Sequence, residues 1–177
     1  AYNALDMIDQ TIHLAEYPYP HLEYTARNRM NAGVGMLGVA EYMAKRGVYY
    51  SSQYGLEVLH ELAERHYYFL LKAALRLGKE RGNAPWMHKT KWPEGWLPID
   101  TYKRSVDKIV PHKLRYDWEG LRKEIIANGG IRFSVLCAHM PCETSSKAAG
   151  VPNSVYGIRA LYLMKSDMET VLDWLAP

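Results

Sequence analysis

The chain has 177 residues, of which 48% are hydrophobic and 23% charged, so it can bury a core and is not a compositionally disordered protein. Its net charge of +3 comes from basic residues scattered along the chain, a pattern too weak to indicate nucleic acid as a partner. Two cysteines exclude a disulfide-rich secreted scaffold, and no apolar run is long enough to span a membrane. We therefore expect a cytoplasmic protein without a signal segment or a membrane span.

The first fifty residues contain two helical patterns separated by prolines and glycines. Apolar side chains at helical spacing predict an amphipathic helix over residues 3–16, with Asn3 as its cap. A short strand is then predicted to end near Gly35, followed by a helix that runs to Arg46 and stops at Gly47.

Glycines 33, 35 and 38 match the bare spacing of the dinucleotide-binding fingerprint G-x-G-x-x-G. The acidic residue expected about 20 positions later is missing, and so is a clean strand before the first glycine. Close packing of a helix on a strand is therefore the favoured explanation, and nucleotide binding is the alternative.

The most apolar helical pattern begins at Ser51 or Ser52 and ends near Gly78 or Gly82, which predicts a long helix buried on more than one side. It contains a single Glu-x-x-His step, whereas a di-metal site in a helical bundle needs two such steps and two further glutamates. We therefore assign its charged residues to a solvated or interface-facing stripe and expect no metal. These residues are Glu57, His60, Glu61, Glu64 and His66.

Residues 83–113 lose the helical period, and prolines alternate there with Trp86, Trp92 and Trp96. This pattern predicts a long ordered connection with one helical turn near residues 101–107. Tryptophans packed under a long loop are the favoured explanation, and stacking on single-stranded nucleic acid is the alternative.

The stretch from 114 to 150 is predicted to form a helix, a strand and a second helix. Asp117 is expected to cap a helix that buries Trp118, Leu121 and Ile125 and ends at Gly129. The apolar run 131–138 then predicts a strand, a tight turn follows, and a short helix begins near Thr144.

Three consecutive hydroxyl residues, Thr144, Ser145 and Ser146, stand at the predicted start of that short helix, behind the rigid Pro141. Backbone N–H groups, hydroxyl donors and the positive end of the helix dipole would then meet at one point, which favours a phosphate. An ordinary capping turn, in which Thr144 or Ser145 bonds its own helix, is the alternative.

The tail after Ser146 is predicted to be irregular as far as residue 160, with a strand at 161–164. Ser166 and Glu169 form a capping-box pattern in front of an apolar run, so local rules predict a helix from there to the end.

Several motifs together resemble the large, catalytic subunit of class I ribonucleotide reductase, of the bacterial and phage type. The family pattern is Asp-Trp, then Gly-x-Arg-Asn-Ser, Ala-x-Met-Pro and Glu-Thr-Ser-Ser. The corresponding residues here are Asp117-Trp118, Gly130-Ile131-Arg132-Phe133-Ser134, Ala138-His139-Met140-Pro141 and Glu143-Thr144-Ser145-Ser146, with Phe133 in place of the family's Asn. The stretch from Arg29 to Ala40 is also similar to a barrel strand of the family that leads into a helix. In the tail, Asn153, Gly157 and Ile158 match, whereas Val155, Tyr156, Arg159 and Ala160 depart from the family's nucleoside-facing segment. The family is largely extended after this point, in disagreement with the helix predicted by local rules.

The resemblance implies a ten-stranded α/β barrel and radical reduction of a ribonucleoside diphosphate in deoxyribonucleotide biosynthesis for DNA replication. Carried over residue by residue, Glu143, Thr144, Ser145 and Ser146 would bind the substrate phosphates, while Pro141 and Cys142 shape the turn. The implied partners are the remaining part of the large subunit, the radical-generating small subunit and the ribonucleoside diphosphate. The implied location is the cytoplasm of a bacterium or a phage-infected host.

The redox residues of this oxidoreductase family have no match in the chain. The family's radical cysteine lies in Asn-x-Cys-x-Glu, which is absent here. The resemblance implies a part of the barrel that begins after this cysteine and stops before the family's Tyr-Tyr relay, and the family's paired redox cysteines have no counterpart either. Cys137 and Cys142 align with non-catalytic positions and are expected to pack as small residues, with a functional disulfide as the alternative. We expect no cofactor in this chain, because the family's dinuclear metal and radical centre belongs to the small subunit.

The overall prediction is a mostly α protein with a few short strands, forming part of the ten-stranded barrel. One domain is expected over 1–177, with a helical part (1–82), a Pro/Trp-rich connection (83–113), the helix, strand and phosphate turn (114–150) and a variable tail (151–177). The expected function is that of a fragment or split piece of the reductase large subunit, inactive alone and prone to self-association through open strand edges. The alternative is a stand-alone helical module that binds phosphate, a nucleotide or another protein without redox chemistry.

Overall fold

A computed structural model of the chain describes residues 1–101, 108–110, 113–158, 160–166 and 171–175. These residues are mostly helical and include four short strands. The α-helices are α1 (Tyr2–Leu14), α2 (Pro20–Arg29), α3 (Val39–Lys45), α4 (Gln53–Arg81), α5 (Pro98–Thr101), α6 (Trp118–Ala127) and α7 (Glu143–Ala149), and a 3₁₀ turn covers Met87–Lys89. The strands are β1 (Asn31–Val34), β2 (Val135–Cys137), β3 (Tyr162–Ser166) and β4 (Val171–Leu175).

The chain divides into two compact units. The first comprises Ala1–Val34 and Leu59–Ala138, and the second comprises Gly35–Val58 and His139–Pro177. In the first unit, β1 and β2 pair in parallel, with Asn31 opposite Val135 and Val34 opposite Cys137. In the second unit, β3 and β4 form an antiparallel pair in which Tyr162 faces Leu175 and Ser166 faces Val171.

The core of the first unit is built around helix α4. Leu70, Leu71, Ala74 and Leu77 are each at most 1% exposed and form one face of the helix. Tyr68, Ala73 and Leu75, which are 8% exposed or less, flank that face, so the buried surface covers more than one side of the helix. Each fully buried leucine contributes about 1.5–3 kcal/mol relative to an exposed one. The prediction of a long helix buried on several sides is confirmed, and Gly82, with φ of +83°, follows its last residue.

Helix α6 has the predicted cap and the predicted buried face. Asp117 Oδ1 accepts a hydrogen bond of 2.8 Å from the backbone N–H of Gly120. Trp118, Leu121 and Ile125 are 4% exposed or less, and Gly129 adopts a left-handed backbone just after the helix. The local sequence was sufficient to predict this helix, because its capping residue and its apolar period indicate the same start and the same buried face.

Three other local predictions were wrong or incomplete. Helix α1 begins at Tyr2, with Ala1 at the cap position and no side-chain cap, so Asn3 lies inside the helix. Helix α2 was not predicted, although Pro20 occupies the first helical turn, where its missing N–H is harmless. The strand predicted over 131–138 is limited to Val135–Cys137. The helical turn predicted near 101–107 lies mostly outside the described residues.

The helix predicted from Ser166 to the end is also wrong, because β4 occupies Val171–Leu175. A capping box is worth about one or two hydrogen bonds, whereas pairing with β3 satisfies backbone groups along the whole strand. The hydroxyl of Tyr162 also donates to Asp173 Oδ1 across the pair at 2.6 Å. Cross-strand pairing therefore decided this segment, as the family resemblance had indicated.

A buried ion network links helices α1 and α4 to the segment before β2 in the first unit. Asp9, which is 3% exposed, accepts hydrogen bonds of 2.7 Å from Arg132 Nε and from an Nη of Arg81. Arg132 also donates to the carbonyls of Arg81 and Gly82, at the end of α4. Burial alone would raise the pKa of Asp9, but the hydrogen bonds from Arg132 and Arg81 outweigh burial and lower that pKa.

Glu64 is a second buried acceptor, so its assignment to a solvated or interface-facing stripe was wrong. It is 6% exposed, and its Oε1 accepts hydrogen bonds from the backbone N–H groups of Arg115 and Tyr116 and from the indole of Trp118. The carboxylate thus attaches the segment before α6 to helix α4. Glu61, by contrast, forms ion pairs with Arg65 and Arg115 near the surface, in agreement with the prediction.

Candidate functional site

The candidate site is the turn that joins β2 to helix α7. Cys142 occupies the cap position of α7, and no side chain among the described residues caps this helix. The backbone N–H of Ser146 bonds the carbonyl of Cys142 at 2.8 Å. The N–H groups of Glu143, Thr144 and Ser145 therefore precede the first intrahelical bond and are directed away from the helix.

The six predicted site residues differ in exposure. Pro141, Glu143, Thr144 and Ser145 are exposed, and Cys142 is half-buried. Ser146 is only 1% exposed, and its Oγ donates to the carbonyl of Glu143 at 2.8 Å. The turn thus presents two hydroxyl side chains to solvent, and the third faces inward. Neither Thr144 nor Ser145 acts as the cap that the alternative explanation required.

A cavity of about 220 Å³ lies against the inner face of α7, within the second unit. It is lined by Glu143, Ser146, Lys147, Asn153 and Ser166. Lys147 Nζ donates to the carbonyl of Ser166 at 3.1 Å, which attaches the helix to β3. Asn153 Oδ1 is buried without a hydrogen-bond partner among the described residues. Sequence reasoning singled out Asn153 only through the family resemblance and gave no role to Lys147.

The glycine-rich segment packs closely against the loop that follows α7. Gly38 has φ of +68°, and its N–H donates to the carbonyl of Pro152 at 3.0 Å. A Cβ at this position would lie 3.2 Å from the Cβ of Val151. This geometry supports the close-packing explanation, although the neighbour is a loop and not a strand. The amide of Gly38 is bonded to a protein carbonyl, which leaves it unsuited to a phosphate.

Neither Cys137 nor Cys142 forms a disulfide. Cys137 is half-buried at the end of β2, and burial raises the pKa of its thiol. A raised pKa disfavours the thiolate, which is the reactive form. Cys142 Sγ lies 3.5 Å from the carbonyl oxygen of Met140 within the turn. Both positions agree with the assignment of the cysteines as small packing residues.

The tryptophans of the connection pack against the first unit or against neighbouring lysines. Trp92 Nε1 donates to the carbonyl of Ser134 at 3.0 Å. The Nζ atoms of Lys89 and Lys91 lie 3.7 and 4.2 Å from the ring centroids of Trp86 and Trp96. The hydrogen bond to Ser134 supports the explanation that Trp92 packs under the loop, whereas Trp96 is 43% exposed.

Two kinds of feature are absent from the part of the chain that the structure describes. No helix there is long and apolar enough to cross a membrane. No group of three or more His, Cys, Asp or Glu residues in the same part could bind a metal ion.

Comparison with known proteins identifies the family. Residues 1–173 match the model of the ribonucleotide reductase barrel domain. The chain is 39% identical to ribonucleoside-diphosphate reductase 1 subunit alpha of Escherichia coli over 162 residues, which cover 92% of this chain and 21% of that protein. It is 35% identical to the subunit alpha of Haemophilus influenzae over 174 residues, 98% of this chain and 23% of that protein. It is also 35% identical to the subunit alpha of Enterobacteria phage T4 over 170 residues, 96% of this chain and 22% of that protein. The chain spans about a fifth of the length of these relatives, and it belongs to the ribonucleotide reductase barrel-domain family.

Proposed function

We propose that the chain is a piece of the large, catalytic subunit of a ribonucleoside-diphosphate reductase and contributes the turn that binds the substrate diphosphate. The observation that carries this proposal is the Glu-Thr-Ser-Ser sequence at the uncapped start of α7, in a member of the barrel-domain family. The complete reductase would form a deoxyribonucleotide for DNA synthesis.

The geometry supports an anion at this turn. The N–H groups of residues 143–145 and the hydroxyls of Thr144 and Ser145 are the available donors, and the positive end of the helix dipole adds to them. The Glu143 carboxylate accepts hydrogen bonds and therefore suits a donor such as a sugar hydroxyl. Pro141 and Cys142 shape the turn in this proposal, and neither carries a charged group that could bind the phosphates.

The complete reductase would also need the remaining part of the large subunit and the small subunit. Strands β1 and β2 would be two members of the ten-stranded barrel, completed by the remaining part of the large subunit. That part would supply the radical cysteine, and the radical-generating small subunit would supply the dinuclear metal and radical centre. The chain itself would bind no cofactor, and we place it in the cytoplasm of a bacterium or a phage-infected host.

Calorimetric titration of the full chain with inorganic diphosphate tests the binding site. Replacing Thr144 and Ser145 by alanine should weaken binding by about 1.5–3 kcal/mol for each charge-assisted hydrogen bond that is lost. Thr25→Ala, at an exposed threonine on helix α2, is the matched control and should leave the affinity unchanged. Equal affinities for the double variant and the unsubstituted chain would refute the assignment.

Turnover is the second test. The purified chain, mixed with a small subunit, a reductant and a ribonucleoside diphosphate, should form no deoxyribonucleotide. Its two cysteines lie at the end of β2 and at the cap of α7, where the resemblance implies no radical chemistry. Detection of product would show that the chain performs the reduction without the rest of the large subunit.

A further inference from the structure

The hydroxyl of Ser146 differs from its two neighbours in both position and bonding. Its side chain is 1% exposed, whereas Thr144 and Ser145 are exposed on the same helix. The hydroxyl has a single proton, which is donated to the carbonyl of Glu143 at 2.8 Å. Only lone pairs remain on this oxygen, and lone pairs repel an anion.

The backbone of Ser146 is bonded on both sides. Its N–H donates to the carbonyl of Cys142 at 2.8 Å, and its carbonyl accepts from the N–H of Val151 at 3.1 Å. Ser146 thus joins the start of α7 to the chain that leaves the helix after Gly150. Its carbonyl also accepts from the N–H of Gly150, and its hydroxyl bonds Glu143, so Ser146 is hydrogen-bonded at both ends of the seven-residue helix.

We propose that Ser146 is a positioning residue that orients the anion-binding turn and does not contact the anion. This inference rests on the proposed function, because it concerns the same turn. The bond to the carbonyl of Glu143 fixes the peptide between Glu143 and Thr144, whose N–H points toward the anion. Loss of that bond leaves the donors present but less well oriented, which lowers affinity because ordering them must then accompany binding.

The experiment is a double-mutant cycle with inorganic diphosphate as the probe, measured on the full chain. Ser146→Ala alone should weaken diphosphate binding by about 3- to 10-fold. In the background of Thr144→Ala with Ser145→Ala, the same substitution should change the affinity less than 2-fold, because a residue that acts through others loses its effect when they are removed. Ser146→Cys, which preserves volume with a weak donor, should give an intermediate loss.

Amide hydrogen exchange, measured without ligand, tests whether Ser146 orders the turn. Ser146→Ala should accelerate exchange of the amides of residues 146 and 151, which are hydrogen-bonded to Cys142 and to residue 146, and Ser145→Ala, at the adjacent exposed hydroxyl, should not. An equal loss of affinity in both backgrounds would make Ser146 a direct ligand and overturn the inference. An unchanged affinity in the folded Ser146→Ala chain would overturn it as well, and either result would leave the proposed function intact. Failure of the unsubstituted chain to bind diphosphate would refute both.

Discussion

Asp9→Ala should be among the most destabilising single substitutions in the first unit. Asp9 is 3% exposed and accepts hydrogen bonds from two arginines, of which Arg132 is itself only 7% exposed. Removing one partner of a buried ion pair leaves the other charge uncompensated, at a cost of about 3–5 kcal/mol. The remaining bonds from Arg132 to the carbonyls of Arg81 and Gly82 do not neutralise its charge.

Asp6 provides the matched control on the same helix. Its carboxylate pairs with Arg81 at 2.6 Å, but about a third of each side chain is exposed. Such a pair contributes at most about 1 kcal/mol, so Asp6→Ala should be nearly neutral. Urea unfolding followed by tryptophan fluorescence measures both variants, since Trp86, Trp92, Trp96 and Trp118 all lie in the first unit.

The pH dependence of the unfolding free energy tests the same role of Asp9. The pKa of Asp9 is lowered in the folded chain, because hydrogen bonds from Arg132 and Arg81 outweigh the effect of burial. Its contribution is therefore complete above the unfolded pKa of about 3.9 and is lost as the pH falls through the folded pKa. The difference in unfolding free energy between the unsubstituted chain and Asp9→Ala should be constant near neutral pH and shrink in acid. A cost equal to that of Asp6→Ala, or a difference that grows in acid, would refute the argument.

Three further outcomes are expected. In urea unfolding, Glu64→Ala should lower stability by about 1.5–3 kcal/mol more than Glu64→Gln. The reason is that the glutamine amide keeps an oxygen acceptor for the three N–H donors. Equal losses for the two variants would show that these bonds contribute nothing to stability. Gly38→Ala should cost more than Gly47→Ala, since both glycines are left-handed but only at Gly38 would the new Cβ meet Val151. Similar melting temperatures for these two variants would contradict the close packing. Light scattering should give a mass above the monomer, because Tyr162, Met164, Val171 and Leu175 of the β3 and β4 pair are 53–73% exposed. A strictly monomeric solution would remove this expectation.

The sequence alone determined the helices whose caps and apolar periods agree. Helix α6 and the long helix α4 begin and end where Asp117, Ser52 and the terminal glycines predict. The turn before α7 was also recognisable, because Pro141 and three hydroxyl residues stand together in the sequence. These signals lie within a few residues of the structure they predict, so no distant partner is needed to interpret them.

Tertiary structure decided whatever depends on residues far apart in the chain. Asp9 and Arg132 are separated by 123 positions, and Glu64 and Trp118 by 54, so no local pattern indicated that these charges are buried acceptors and donors. The pairing of β4 with β3 likewise prevailed over a local capping signal. The inward direction of Ser146, beside two outward hydroxyls, follows from the packing of α7 on its own unit. A sequence specifies which groups can form hydrogen bonds, but burial and long-range contacts determine which partner each group receives.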